Sequence, residues 1–129
     1  MPNDQEFTCA VYVRPDFEVR ILQIKRVLIG GITSKGIISK NKIIEDYLNK
    51  VVKIFGIPGC YNIQLRLTNR GPLLFEINPR LSSTLVFRDK LGFNDLRWWI
   101  SDSLDMEYQE YKQVKAGTKI YRGSIEYII

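Results

Sequence analysis

The spacing of apolar residues changes twice along this 129-residue chain, and each change restricts the folds open to it. Phe7, Cys9, Val11 and Val13 are apolar at every second position, the repeat of a half-buried strand. Pro15-Asp16 interrupts the run, and Val19, Ile21 and Gln23 resume it against Arg20, Leu22 and Ile24, which predicts a hairpin. From Asn41 to Phe55 the period becomes helical: Ile43, Ile44, Tyr47, Leu48, Val51, Val52 and Phe55 share one side, and Lys42, Glu45, Asp46 and Lys50 the other. Asn41 is the expected N-cap and Gly56-Ile57-Pro58-Gly59 the stop. Alternation then returns, with Tyr61, Ile63, Leu65 and Leu67 set against Asn62, Gln64 and Arg66. After Asn69-Arg70-Gly71-Pro72, Phe75 and Ile77 oppose Glu76 and Asn78, a second hairpin.

Three further segments complete the reading. The three glycines in Gly30-Gly31-Ile32-Thr33-Ser34-Lys35-Gly36 exclude a stable helix and predict a loop. A second helix is expected from Asn94 through Leu104, capped by Asn94 or Asp95, with Leu96, Trp99, Ile100 and Leu104 toward the core; Trp98 and Trp99 cannot both face inward. Thr118–Tyr121 and Ser124–Ile129 have strand composition, broken by Arg122-Gly123. Strands joined by hairpin-length connections, with two principal helices between them, define an α+β domain around a mainly antiparallel sheet. The length suits one domain over residues 1–129, with one core.

Composition removes several functions. With 45% apolar and 26% charged residues the chain is globular rather than disordered. No apolar run approaches the ~20 residues of a membrane helix, and Met1–Phe7 lacks the basic and apolar regions of a leader, so the expected location is cytoplasmic. Cys9 and Cys60 are too few for a disulfide framework and lack zinc spacing; both are expected to fill the core. There is no histidine, which excludes Ser-His and Cys-His catalysis and His-ligated zinc within the chain. A metal would have to rest on oxygen ligands. The net charge of +5 favours an anionic partner: nucleic acid, a membrane surface or a small phosphate compound.

The polar face of the second hairpin carries the chemistry. If Asn69-Arg70-Gly71 is a three-residue loop with a bulge at Gly71, Thr68 pairs with Pro72, which sets Gln64 opposite Glu76 and Asn62 opposite Asn78. A two-residue loop would flip the parity and separate Gln64 from Glu76. In the first register a carboxylate and two amide oxygens converge, a set suited to Mg²⁺ or Mn²⁺. Arg80, after Pro79, adds a fork for phosphate.

Phe75-Glu76-Ile77-Asn78-Pro79-Arg80 resembles the signature of the ATP-grasp superfamily, and its neighbours follow in order. Gly59-Cys60-Tyr61-Asn62-Ile63-Gln64 is similar to the strand before that signature, Arg80-Leu81-Ser82 and Lys90-Leu91-Gly92-Phe93 to the segments after it, and Glu6-Phe7-Thr8 to the opening of the last subdomain. The similarity runs from Glu6 to Leu104, toward carbamoyl-phosphate synthase large chains and related carboxylate-amine ligases. It implies ATP held between two subdomains, with the γ-phosphate passing to a carboxylate and a nucleophile then attacking the acyl-phosphate. Gln64, Glu76 and Asn78 would hold Mg²⁺, Arg80 would steady the transferring phosphoryl group, and Glu6 would bind the ribose hydroxyls. Lys35, beside glycines, is expected as a further phosphate contact, and Lys25 and Arg26 at the end of the second strand read either as substrate contacts or as a solvated strand end. This chemistry needs positioning and charge neutralisation rather than a histidine.

Two departures bear on the substrate. Ser83 stands where the synthases carry a second arginine, and Thr33-Ser34-Lys35-Gly36 stands where they often have a histidine. The family's N-terminal domain and glycine-rich subdomain have no counterpart before Glu6. The expectation is therefore a C-terminal piece, inactive alone, completed by segments in cis or trans, whose uncovered face favours a homodimer. The alternative is a non-catalytic α+β module binding an anionic partner such as nucleic acid, with Tyr108, Tyr111 and Tyr121 as contacts. Scattered basic residues and the lack of paired strand aromatics weigh against nucleic acid.

Overall fold

The computed structural model describes residues 6–107 and 110–123. Its elements run β1 (Glu6–Val13), β2 (Val19–Ile29), β3 (Ile32–Ser39), α1 (Lys42–Phe55), β4 (Gly59–Thr68), β5 (Gly71–Asn78), α2 (Leu85–Lys90), α3 (Asp95–Ser103) and β6 (Lys119–Tyr121). The strands form one antiparallel sheet in the order β5-β4-β1-β2-β3-β6. The α+β class and the antiparallel sheet agree with the sequence reading, which lacked α2. Tyr108 and the strand expected over Ser124–Ile129 lie outside the described residues.

One face of the sheet packs on α1. Phe7, Cys9, Val11, Ile63 and Leu65 meet Ile44, Leu48, Val51 and Val52 of the helix in a single cluster. Each buried aliphatic side chain there contributes ~1.5–3 kcal/mol. The helix begins as expected: the Asn41 side chain accepts from the N–H groups of Ile43 and Ile44 at 2.9 and 3.3 Å. It stops at Gly56, whose φ of 60° is left-handed and whose N–H reaches the Val52 carbonyl. Gln23 on β2 exchanges two hydrogen bonds with the Asn41 backbone, fixing where the helix enters.

The opposite face is divided. At one end Ala10, Tyr12, Leu22, Ile24, Ile38 and Cys60 lie under Phe93, Trp98 and Val114. Toward Glu6, Gln64 and Glu76 the same face becomes polar. Both cysteines are buried in these cores, as expected.

Three local expectations are corrected. The glycine-rich segment is not a loop: Gly30 and Gly31, with φ of 59° and 76°, form a two-residue turn, and Ile32 onward is strand β3. Gly36 lies inside that strand opposite Arg26, where a Cβ would sit 2.7 Å from Ile24 Cγ2 and 3.0 Å from the Lys25 carbonyl oxygen. The α3 face is also different. Trp98 is buried, while Trp99, Ile100 and Leu104 are exposed and Leu96 is half-buried. Trp98 packs 5.1 Å from both Phe93 and Tyr111 and under the Arg20 guanidinium, and Asp95 turns inward to Arg88. These contacts outweigh the apolar count of the other face. Asn94 stands at the N-cap position without a side-chain cap and instead donates to Asp89.

The third correction concerns the β4–β5 turn. Thr68 pairs with Gly71, so the loop is the two residues Asn69 and Arg70. The register then shifts at Phe75, which bulges out of β5, and Gln64 meets Glu76 and Asn62 meets Asn78 after all. The extra residue sits at position 75 rather than in the turn, and restores the same parity.

Candidate functional site

The polar end of the sheet is built from alternate residues of four strands. Glu6 and Thr8 of β1, Arg26 of β2, Asn62 and Gln64 of β4, and Glu76 and Asn78 of β5 point to one face by register. The Arg26 Nη2 donates to Glu6 Oε1 and to Gln64 Oε1, both at 2.6 Å, and its Nε also reaches Glu6. The guanidinium thus orients both partners. The second Glu6 oxygen lies 3.7 Å from the Arg66 guanidinium. Thr8 donates to the Asn62 side-chain oxygen at 2.8 Å.

Glu76 is exposed on this face, and no ion pair joins it to a described residue. Asn78 is half-buried, and its amide nitrogen Nδ2 has no hydrogen-bond partner. Among the described residues no three His, Cys, Asp or Glu side chains converge, so a cation here would rest on one carboxylate and on amide oxygens. Gln64 keeps a lone pair beyond the one given to Arg26. The donor set therefore fits a hard divalent ion that retains water.

Arg80 is exposed just past Asn78, with one nitrogen on the Leu81 carbonyl. The loop after it is anchored from beneath. Arg88, 1% exposed, binds Asp95 at 2.8 Å and donates to the hydroxyls of Ser82 and Thr84. Lys35 falls elsewhere: it pairs with Val27 and Tyr121 on the α1 side of the sheet, beside Lys25 and Lys119. The structure thus brings together Glu6, Arg26, Gln64, Glu76 and Asn78, with Arg80 at the strand end, and separates Lys35 and Lys25 from them.

Sequence reading missed Thr8, Thr33 and the Arg88–Asp95 anchor. Thr8 was accessible from its parity with Glu6. Thr33 was not, because the β2–β3 register shifts between Val27 and Leu28, leaving Ser34 as an extra residue and turning Thr33 onto the site face. Arg88 lies on a six-residue helix, too short to show a period.

An antiparallel sheet with one polar end, closed by the Glu76-Ile77-Asn78-Pro79-Arg80 strand, is an ATP-grasp subdomain. The chain belongs to the family described as "ATP-grasp in the biosynthetic pathway with Ter operon", whose model matches residues 3–124. The same fold occurs in N5-carboxyaminoimidazole ribonucleotide synthetase from Thermus thermophilus (TM-score 0.69, 12% identity, 92% of this chain and 35% of that one). It occurs also in the phosphoribosylaminoimidazole carboxylase ATPase subunit from Aquifex aeolicus (0.66, 16%, 81% and 34%). A third is carboxyaminoimidazole ribonucleotide synthase from Aspergillus clavatus complexed with ATP (0.66, 17%, 81% and 30%). The chain spans about a third of the length of these structures. No curated protein matches it. No helix among the described residues is long and apolar enough to cross a membrane.

Proposed function

We propose that this chain supplies the cation-binding and phosphate-binding half of an ATP-grasp ligase site, completed by further ATP-grasp segments in cis or in trans. The observation that carries the reading is the register that sets Gln64 against Glu76 and Asn62 against Asn78, on the face that also bears Arg26. Gln64, Glu76 and Asn78 would hold Mg²⁺ or Mn²⁺, which would neutralise charge on the ATP phosphates. A substrate carboxylate oxygen attacks the γ-phosphorus and ADP leaves, giving an acyl-phosphate. An amine then displaces phosphate at the acyl carbon.

Arg80 offers a planar fork of donors to the transferring phosphoryl group, where charge stabilisation is most effective. Arg26, neutralised by Glu6, orients the Gln64 amide rather than meeting substrate. Glu6 keeps only its second oxygen for a ribose hydroxyl, because the first is held by Arg26. Lys35, on the other face, takes no part. Ser83 in place of a second arginine favours a carboxylate-amine ligase over bicarbonate phosphorylation.

Calorimetric titration of Mn²⁺ with ATP into the chain tests the reading. The expected result is weak binding that disappears in the Glu76→Ala, Asn78→Ala double variant. Binding that survives the double substitution would sink the cation assignment. A second reading, an anionic partner on the α1 side, is favoured by Lys25, Lys35 and Lys119 around Val27, Ile37 and Tyr121. It requires affinity that falls steeply with salt and survives the same double substitution.

A further inference from the structure

Between the β2–β3 turn and the loop joining β5 to α2 lies a cavity of about 230 Å³. Its volume equals that of roughly eight waters at ~30 Å³ each, and it is smaller than the ~300 Å³ at which pockets for drug-sized ligands begin. Hydroxyls of Thr8, Thr33, Ser82 and Thr84 line it with Asn62, Arg26, Arg80 and Gln64, which it shares with the proposed cation site, and no acidic side chain does. Arg26 is balanced by Glu6. Arg80 forms no ion pair with a described residue, and leaves the cavity with one uncompensated positive charge.

Two features mark this as a built site. Thr33 is 1% exposed and its hydroxyl has no partner, although it lines the cavity. An unsatisfied buried hydroxyl is unfavourable until something supplies its hydrogen bond. The walls are also tied together. Arg122, just past β6, donates its Nε to the Thr33 carbonyl at 3.1 Å and its Nη2 to the Ser83 carbonyl at 2.8 Å, with its guanidinium 4.9 Å over the Phe87 ring. One rigid fork spans both walls and sets the width of the opening.

We infer that this cavity seats a small carboxylate bearing a hydroxyl or amino group close to the carboxylate, with Arg80 taking the anion and Thr33 reading the polar substituent. The inference rests on the ligase reading of this face and names its substrate class. A ligand polar at both ends and only a few bonds long satisfies the charge, the orphan hydroxyl and the volume together. Sites built around a hydroxyl contact reject the analogue that lacks the group far better than apolar pockets discriminate by size.

Glycolate, glycine and acetate share a carboxylate and are of similar size; glycolate adds a hydroxyl, glycine an ammonium that cancels the net charge, and acetate neither. Their dissociation constants are read from amide shifts in NMR titrations of the full chain, without metal or nucleotide. Glycolate or glycine is expected to bind at least tenfold more tightly than acetate. Thr33→Val should remove that preference while leaving acetate binding unchanged, Thr33→Ser should retain it, and Arg80→Ala should weaken all three. Equal affinities in the wild-type chain, no binding of any probe, or a preference that survives Thr33→Val would each overturn the inference. Mn²⁺-ATP binding by Thr33→Val, and glycolate binding by the Glu76→Ala, Asn78→Ala variant, separate the two readings: each should persist if the seats are distinct.

Discussion

Arg88 and Asp95 are each 1% exposed and 2.8 Å apart, and the arginine also holds the hydroxyls of Ser82 and Thr84. Removing one partner from such a pair strands a charge in the interior at a cost of ~3–5 kcal/mol. Asp95→Ala should therefore lose about that much in urea unfolding, whereas the Arg88→Met, Asp95→Leu pair should recover most of it. The thiols give a second expectation. Burial pushes Cys9 and Cys60 up to about 12, well above the ordinary thiol value. As pH rises above that ordinary value, unfolded thiols ionise while folded ones keep their protons. The stability they contribute is full at neutral pH and is lost progressively toward pH 12. Urea midpoints measured from pH 7 to 10.5 should fall more steeply for the wild-type chain than for Cys9→Ala. Of the single positions, the placement of Gln64, Glu76 and Asn78 on one face was legible because strand parity is local. Thr33 reaches the site face through a register shift against β2, and Arg88 lies on a helix too short to show a period, although its partners Ser82, Thr84 and Asp95 are all within seven residues.

α1 was legible from end to end, since its period, its Asn41 cap and its Gly56 stop all lie within sixteen residues. Asn41→Ala should cost ~1 kcal/mol, read as a lower thermal midpoint with unchanged helical circular dichroism below the transition. β3 was read as a loop because glycine was weighed as a breaker, whereas Gly36 is there so that Ile24 can pack against the backbone. Gly36→Ala should cost ~1–3 kcal/mol by overpacking, measurable in the same way. α3 shows a different limit. Its apolar stripe pointed one way and the aromatic cluster of Phe93, Trp98 and Tyr111 pulled it the other. Periodicity reports how many apolar residues share a face, not which face finds partners.

The sheet carries a core on each side, one under α1 and one under Phe93 and Trp98. Both share β1 and β4, so the chain should unfold as one unit. Trp98 lies in the second core and α1 in the first, so tryptophan emission and far-ultraviolet circular dichroism should give coincident urea transitions. Two separated transitions would show two independent cores. Local patterning was enough to specify the strands, the long helix and the antiparallel α+β class, because side-chain alternation and helix caps are properties of neighbouring residues. It was also enough to bring Gln64 opposite Glu76, although through a bulge at Phe75 rather than in the turn. Tertiary structure alone decided which faces of β3 and α3 turn inward, that Lys35 leaves the site, and that Arg122 joins Thr33 to Ser83. Those outcomes depend on contacts between segments far apart in the chain, where burial and hydrogen bonding override the local pattern.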